Sequence, residues 1–379
     1  MEILKNSKKY IDEKGEKDGK DNLFISQNRP VFFANKEHYN LLTSSKHDYT
    51  DLELDEISDF YCTNFRIEKS NNTFKISKKD LQSYLNVLSE LLIIKNQGKL
   101  FGSIISLHIP IMINTTLNKE VSTKYSDRFE YFKSENSFVF GCASFLILDQ
   151  EHRGKGYGMA LIQESLQIMY DNGGLAAYFI NSTSRCENSI PLYSWYYPLN
   201  FDKLDKCKFF YPRDYKSRFL NNLSKFENPE HRIVKVENEN IKTAYTFYMS
   251  TIKDKIFYFT PSYQYWERWI SSFPTYLLYH CEKIVGMFSY NSYNVHFPSN
   301  KVELSKGNIL ICVGKQPETL QASLVKAKFS YDMLTFYEVG DLSKNLLNDI
   351  FAQKHGKSYI NFFNTRLKIN SLDFYCPLF

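Results

Sequence analysis

The sequence predicts a mixed α/β fold built as two tandem lobes, and three observations predict it. The run Phe138–Leu148 is apolar, and the loop Arg153-Gly154-Lys155-Gly156-Tyr157-Gly158 follows it. Apolar residues at helical spacing come next: Leu161, Ile162, Leu166 and Met169. A buried strand therefore turns into an amphipathic helix through a glycine-rich loop. The chain has 379 residues, too many for one such unit and suited to two. The second half also repeats the first in outline: two helices, a hairpin, a strand, a helix and a strand-like run over residues 241–339.

Taken in order, residues 1–22 are rich in Lys, Asp, Glu and Gly, which predicts a mobile tail. Residues 24–31 give an apolar anchor and an extended turn. Residues 48–60 predict a strand and then a helix from about Leu54. Ser77-Lys78-Lys79-Asp80 opens a second helix, continued by Leu81, Tyr84, Leu85 and Leu88. Two apolar runs, 91–94 and 100–107, flank Asn96-Gln97-Gly98-Lys99 and predict a hairpin. Residues 119–135 are polar and loop-like. Residues 175–180 predict the strand after the central helix. Residues 191–198, with Trp195, Tyr196 and Tyr197, are expected as a short helix broken by Pro198, leading into an extended run. A polar stretch near 221–232 divides the lobes, giving a first lobe over 23–220 and a second over 221–379. In the second half, helices are expected near 241–249 and 263–270, a hairpin over 276–290 and a strand over 306–313. A helix over 318–329 and a strand over 331–339 complete it. Gly314-Lys315-Gln316-Pro317 follows that strand in place of a glycine-rich loop.

The glycines and cations of residues 153–158 suit a pyrophosphate. Glycine permits close backbone approach, a helix start offers free amides and partial positive charge, and Arg153 and Lys155 add full charges. The Gly-Lys-Ser/Thr of a nucleotide P-loop is absent, and the spacing Gly154-x-Gly156-x-Gly158 is not the dinucleotide fingerprint. Arg153, Gly156 and Gly158 form Arg-x-x-Gly-x-Gly, which resembles the acyl-CoA loop of the GCN5-related N-acetyltransferase superfamily. That resemblance implies loop amides on the CoA pyrophosphate and the preceding strand along the pantetheine arm.

Composition narrows the partners. Net charge is only +5 and the basic residues are scattered, which does not point to a nucleic-acid binder. The seven cysteines are odd in number, lack C-x-x-C spacing and show no zinc pattern, which suggests reduced thiols in a reducing compartment. No signal peptide and no membrane-spanning run is apparent. A cytoplasmic monomer without metal or resident cofactor is expected.

Two lobes of this kind, only the first with a CoA loop, resemble the eukaryotic glycylpeptide N-tetradecanoyltransferase (N-myristoyltransferase) family. Residues 24–31 resemble its N-terminal Phe-Trp-x-Thr-Gln-Pro-Val segment, and residues 99–106 its hairpin strand. Phe145-Leu146 matches its Phe-Leu pair, and Arg153 and Lys155 fall on its Arg-x-Lys loop. Trp195-Tyr196-Tyr197-Pro198-Leu199-Asn200, Lys203-Leu204 and Phe209 resemble its Trp-His-Arg-Ser-Leu-Asn-Pro-x-Lys-Leu segment. Tyr331-Asp332 with Phe351 resembles its Phe-Asp segment, and Phe363-Asn364 its Tyr-Asn pair.

The resemblance implies acyl transfer, of a long and specifically myristoyl chain, from acyl-CoA as co-substrate to the N-terminal glycine of a protein. Acyl-CoA would lie on Phe145, Leu146, Ile147, Arg153, Gly154, Lys155, Gly156, Tyr157, Gly158 and Met159, and the acceptor peptide on the second lobe. The main-chain amides of Phe145 and Leu146 would hold the oxyanion, and the terminal carboxylate of Phe379 would be the base. The sequence departs from the family at Phe179, at Tyr196 and at Lys354-His355-Gly356, where the family has Thr, His and Gly-Asp-Gly. These changes bear on acceptor choice and on activity. Two other readings stand beside it: an acetyl-CoA-dependent acetyltransferase acting on a small amine or protein, and a catalytically silent acyl-CoA or peptide binder.

Overall fold

Short capping sequences set the first helices. The computed structural model describes residues 49–67, 72–87, 89–114, 129–130, 133–134, 137–174, 176–182, 184, 189–209, 216–217, 223–350, 352–363 and 371–378, and the backbones of three short strands at 23–25, 42–46 and 365–367. β1 (Leu23–Ile25) and β2 (Leu42–Lys46) precede α1 (Asp51–Asn64). Thr50 caps α1: its hydroxyl accepts from the Glu53 amide at 3.3 Å, and the Glu53 carboxylate accepts from the Thr50 amide at 2.9 Å. This Thr-x-x-Glu box corrects the expected strand followed by a helix from Leu54, because it opens the helix at Asp51. β3 (Arg66–Ile67) and β4 (Asn72–Lys75) lead to α2 (Lys78–Asn86), capped as expected by Ser77 with Asp80. β5 (Ser89–Asn96) and β6 (Lys99–Ile113) form the expected hairpin.

β7 (Phe138–Leu148), α3 (Tyr157–Asp171) and β8 (Ala176–Asn181) follow, also as expected. Then comes a second correction. Residues expected as a helix are strand β9 (Ile190–Pro198), and the expected extended run contains α4 (Phe201–Lys206), capped by Asn200. Trp and Tyr suit a pleated strand, and both edges of β9 find partners distant in sequence. Pro191 and Pro198 sit near its ends, where a missing amide costs least.

The second half runs β10 (His231–Lys235), α5 (Ile241–Ile252), β11 (Phe257–Phe259), α6 (Tyr263–Ser272), β12 (Thr275–His280), β13 (Lys283–Phe297), β14 (Val302–Gly314), α7 (Glu318–Ala327), β15 (Met333–Tyr337), α8 (Lys344–Asp349), β16 (Gln353–Phe363), β17 (Thr365–Leu367) and β18 (Phe374–Tyr375). The order hairpin, strand, helix, parallel strand thus occurs twice, as β5 to β8 and as β12 to β15. The main path of the large sheet is β10-β12-β13-β14-β15-β9-β16-β8-β7-β6-β11-β18. In it β9 and β16 lie side by side between β15 and β8. The largest core cluster takes in Ile105, Leu107 and Phe140 on one side of this junction and Leu310 and Ile311 on the other.

Asp332 ties α4 to the second half. Its carboxylate accepts from Asn200 Nδ2 at 2.8 Å, Lys203 Nζ at 2.8 Å and the Ser305 amide at 2.9 Å. The Tyr331-Asp332 and Asn200–Lys203 segments, far apart in sequence, therefore meet. Asp332→Ala should cost about 2 kcal/mol, the order of a lost hydrogen bond to a charged group, because Lys203 stays partly in water and adds little. Thr50→Ala should cost about 1 kcal/mol through its cap. Urea denaturation of both variants checks the order.

Candidate active site

β7 carries the feature from which the site is built. It pairs with β6 as Ser103↔Ile147 and Ile105↔Ser144, so the single residue Ile104 faces both Phe145 and Leu146. This is a β-bulge, and Phe145 takes φ 52°, a left-handed conformation unusual for an aromatic residue. Its neighbours hold it there. The Phe145 ring packs 5.1 Å from Tyr84, 6.1 Å from Phe65 and 6.5 Å from Tyr61. The Tyr61 phenol donates to the Phe145 carbonyl at 3.2 Å, and burial keeps that phenol protonated by pushing its pKa up. Phe145 and Leu146 are thereby taken out of the regular ladder register, and the Leu146 side chain is left 40% exposed. Main-chain amides presented in this way can hold an oxyanion.

The loop after β7 is a second element of the site. Asp149 caps a single 3-10 turn, accepting from the His152 amide at 3.0 Å, and also contacts His152 Nδ1 at 2.6 Å. The His152 ring stacks on Phe101 at 4.1 Å. Gly154 has φ 76° and Gly156 φ 92°, values that favour glycine, and Gly156 starts α3 without any side-chain cap. The start of α3 can therefore receive an anion. A Cβ at Gly158 would make only ordinary contacts with Leu146 and Leu148. Packing within the protein does not require that glycine, and close approach of a ligand would.

Beside the bulge the sheet forks. β7 and β8 pair in parallel only at Phe140–Cys142 against Ala176–Tyr178, and β8 then continues against β16. β14 and β15 separate in the same way after Lys306–Asn308 and Met333–Thr335. Residues 374–378 fill this second fork, packing near Ile309, Ile311, Val313 and Tyr337 and leaving a cavity of about 40 Å³, room for about one water. Asn308 Nδ2 donates to the Leu378 carbonyl at 2.9 Å, and the Tyr178 phenol donates to Pro377 at 3.1 Å. The segment thus reaches both forks. Two buried thiols here, Cys142 and Cys376, are pushed up, Cys142 to about 11, so neither is a thiolate nucleophile at neutral pH.

No family profile and no curated protein sequence matches the chain. Solved structures do match. N-myristoyltransferase of Saccharomyces cerevisiae with bound myristoyl-CoA aligns over 91% of this chain and 81% of its own, with a TM-score of 0.69 and 15% identity. A structure of the same yeast enzyme with myristoyl-CoA and inhibitors aligns over 93% and 88%, with a TM-score of 0.71 and 14% identity. The fold is the N-myristoyltransferase fold.

Within that fold the predicted residues take different places. Phe145 and Leu146 form the bulge, and Gly154, Gly156, Tyr157, Gly158 and exposed Met159 surround the α3 start. Ile147 is back in the ladder with its side chain in the core, so only its main chain borders the fork. Arg153, expected to meet phosphate, donates instead to the carbonyls of Leu148 and Asn64, both at 3.1 Å. Lys155 is exposed and has no such tie among the described residues. Phe379, residues 26–31 and Asn364 lie outside the described residues. Tyr196 and His355, two of the departures, meet with ring centroids 5.7 Å apart. Tyr61 and Asn308 are absent from the sequence reading and Tyr84 appears there only as a helix residue, since only their partners distinguish them from ordinary core residues.

Lys155→Ala should therefore weaken binding of a pyrophosphate probe about tenfold, the scale of one charge-assisted contact, and leave the melting temperature unchanged. Arg153→Ala should lower both, since Arg153 also pins the loop. Calorimetry with inorganic pyrophosphate and a thermal melt separate the two.

Proposed function

We propose that the protein is an acyl-CoA N-acyltransferase that moves a myristoyl chain to the N-terminal glycine amine of an acceptor peptide. One observation carries this reading: the Phe145–Leu146 bulge stands between an uncapped glycine-rich helix start and a fork in the sheet. The shared fold with an enzyme solved with bound myristoyl-CoA supports it. The CoA pyrophosphate lies on the amides of residues 154–158 with Lys155, and the pantetheine arm runs along residues 145–147. The thioester carbonyl then meets the amides of Phe145 and Leu146. The amine attacks that carbonyl, the C–N bond forms, the C–S bond breaks, and CoA leaves as the thiol. A preorganised donor in such a hole is worth roughly 3–4 kcal/mol.

The attacking amine must give up a proton. The proposed acceptor is the main-chain carboxylate at Phe379, because buried Leu378 and its bond to Asn308 carry the chain into this region. Burial would raise a carboxylate from its usual pKa near 3.5 and make it a better base.

The test is mass spectrometry of the purified protein and of a glycine-initiated peptide offered acetyl- through palmitoyl-CoA. Myristoyl should transfer fastest, and a peak at acetyl would support the acetyltransferase alternative instead. Semisynthetic amidation of Phe379 should lower the acyl-transfer rate at least 100-fold while the acyl-CoA dissociation constant holds. Normal turnover by the amide would remove the carboxylate from the mechanism.

A further inference from the structure

Residues 374–378 are held in the second fork by more than burial. Phe374, Cys376 and Leu378 alternate along the segment and all three are buried. Apolar contact keeps such a segment inside without fixing how far along it lies, because the attraction has no direction. The ladder adds little, since β18 pairs with β11 only at Phe257↔Phe374 and Tyr258↔Tyr375. The cavity of about 40 Å³ beside Tyr375 and Leu378 leaves slack in the packing as well.

Directional bonds take up that slack at Tyr375. Its phenol donates to Asp341 Oδ1 at 2.6 Å and accepts from Lys255 Nζ at 2.8 Å, and Lys255 also reaches the same carboxylate oxygen at 3.2 Å. Burial and the Asp341 carboxylate push the phenol's pKa up, so its proton stays in place to be donated. Both partners are anchored elsewhere. The Lys255 carbonyl accepts from Asn114 Nδ2 at 2.7 Å, just past the end of β6. Asp341 follows Gly340, whose amide donates to the Ser371 carbonyl at 3.2 Å. Gly340 has φ 56°, and a Cβ there would lie 3.0 Å from the Tyr375 ring, so this turn closes directly on that side chain. The approach to β11, the turn after β15 and the chain end thus meet at one carboxylate oxygen. Beyond Tyr375 the bonds are to main chain, from Tyr178 to Pro377 and from Asn308 to Leu378.

We propose that Tyr375 is a positioning residue for acyl transfer: its bonds to Asp341 and Lys255 fix how deep the chain end sits in the second fork, and through that the place of the Phe379 carboxylate. This rests on the reading of that carboxylate as the base. A base must come within hydrogen-bond reach of the amine, and a displacement of about 1 Å can slow a reaction about 100-fold. The last residues of a chain fray unless they are tied down. Tyr375 supplies that tie and takes no part in the chemistry.

Tyr375→Phe keeps the ring and removes only the hydroxyl. The full chain is made in two forms by ligating the peptide Cys-Pro-Leu-Phe, as free acid or as amide, at Cys376. In the acid form, Tyr375→Phe should lower kcat about tenfold and leave the acyl-CoA dissociation constant unchanged. Carboxypeptidase A should also remove Phe379 at least about tenfold faster, because release follows local opening. In the amide form, which has no carboxylate to place, the same substitution should change the rate less than about twofold. A tyrosine that merely stabilised the fold would slow both forms alike. Asp341→Ala should match Tyr375→Phe, and the double variant should be no slower than either, because the two remove one interaction. Thermal melts show that each variant folds. Normal turnover by Tyr375→Phe beside a slow wild-type amide overturns the proposal and leaves the carboxylate reading standing. The same fall in acid and amide forms, unchanged release of Phe379, or single effects that multiply in the double variant also overturn it. Wild-type acid and amide that turn over alike remove the carboxylate reading, and the proposal with it.

Discussion

The site depends on one residue of β7 leaving the ladder. A strand inside a sheet uses its amides on its neighbours, and Phe145 escapes that only by taking a positive φ that costs of order 1–3 kcal/mol. The surroundings offset this cost. Tyr61 holds the carbonyl, while Tyr84 and Phe65 hold the ring. The parallel partner β8 turns to β16 at the same level, so the bulge opens onto a fork and not onto another strand. The aromatic cluster and the sheet topology are thus parts of one device for presenting main-chain amides.

The two forks of the sheet have different fates. The glycine-rich start of α3 adjoins the first, and Tyr178 of β8 reaches from it to the Pro377 carbonyl. Residues 374–378 of the same chain fill the second, where Gly314-Lys315-Gln316-Pro317 replaces a glycine-rich loop. There Gly314 serves packing: a Cβ on it would lie 2.4 Å from the Val285 carbonyl oxygen. One glycine-containing turn leaves backbone open to a ligand, and the other brings two strands together.

Elements with a local signal were legible in the sequence. Ser77 with Asp80, the hairpin around Gly98 and the β7–loop–α3 unit all stand where periodicity and capping place them. β9 was misread because its conformation is set by β15 and β16, which the local sequence does not contain, and its aromatic run carries no clear alternation. The place of Arg153 was not legible, since no local pattern reveals a guanidinium that reaches the Asn64 carbonyl.

The interleaving of β9 and β16 has a consequence for synthesis. Residues 353–363 of β16 are the partners of residues 177–181 in β8 and 190–196 in β9, and β9 takes its other partner from residues 333–337. While the chain is made from its N-terminus, β8 lacks one neighbour until β16 has emerged, and β9 lacks both until β15 has. Each waits as an exposed strand edge rich in aromatic and apolar residues, the kind of surface that pairs with other chains. Closing such long loops also slows folding after release. The nascent protein is therefore most open to aggregation before β16 emerges, and a ribosome that pauses there holds it at that stage longest.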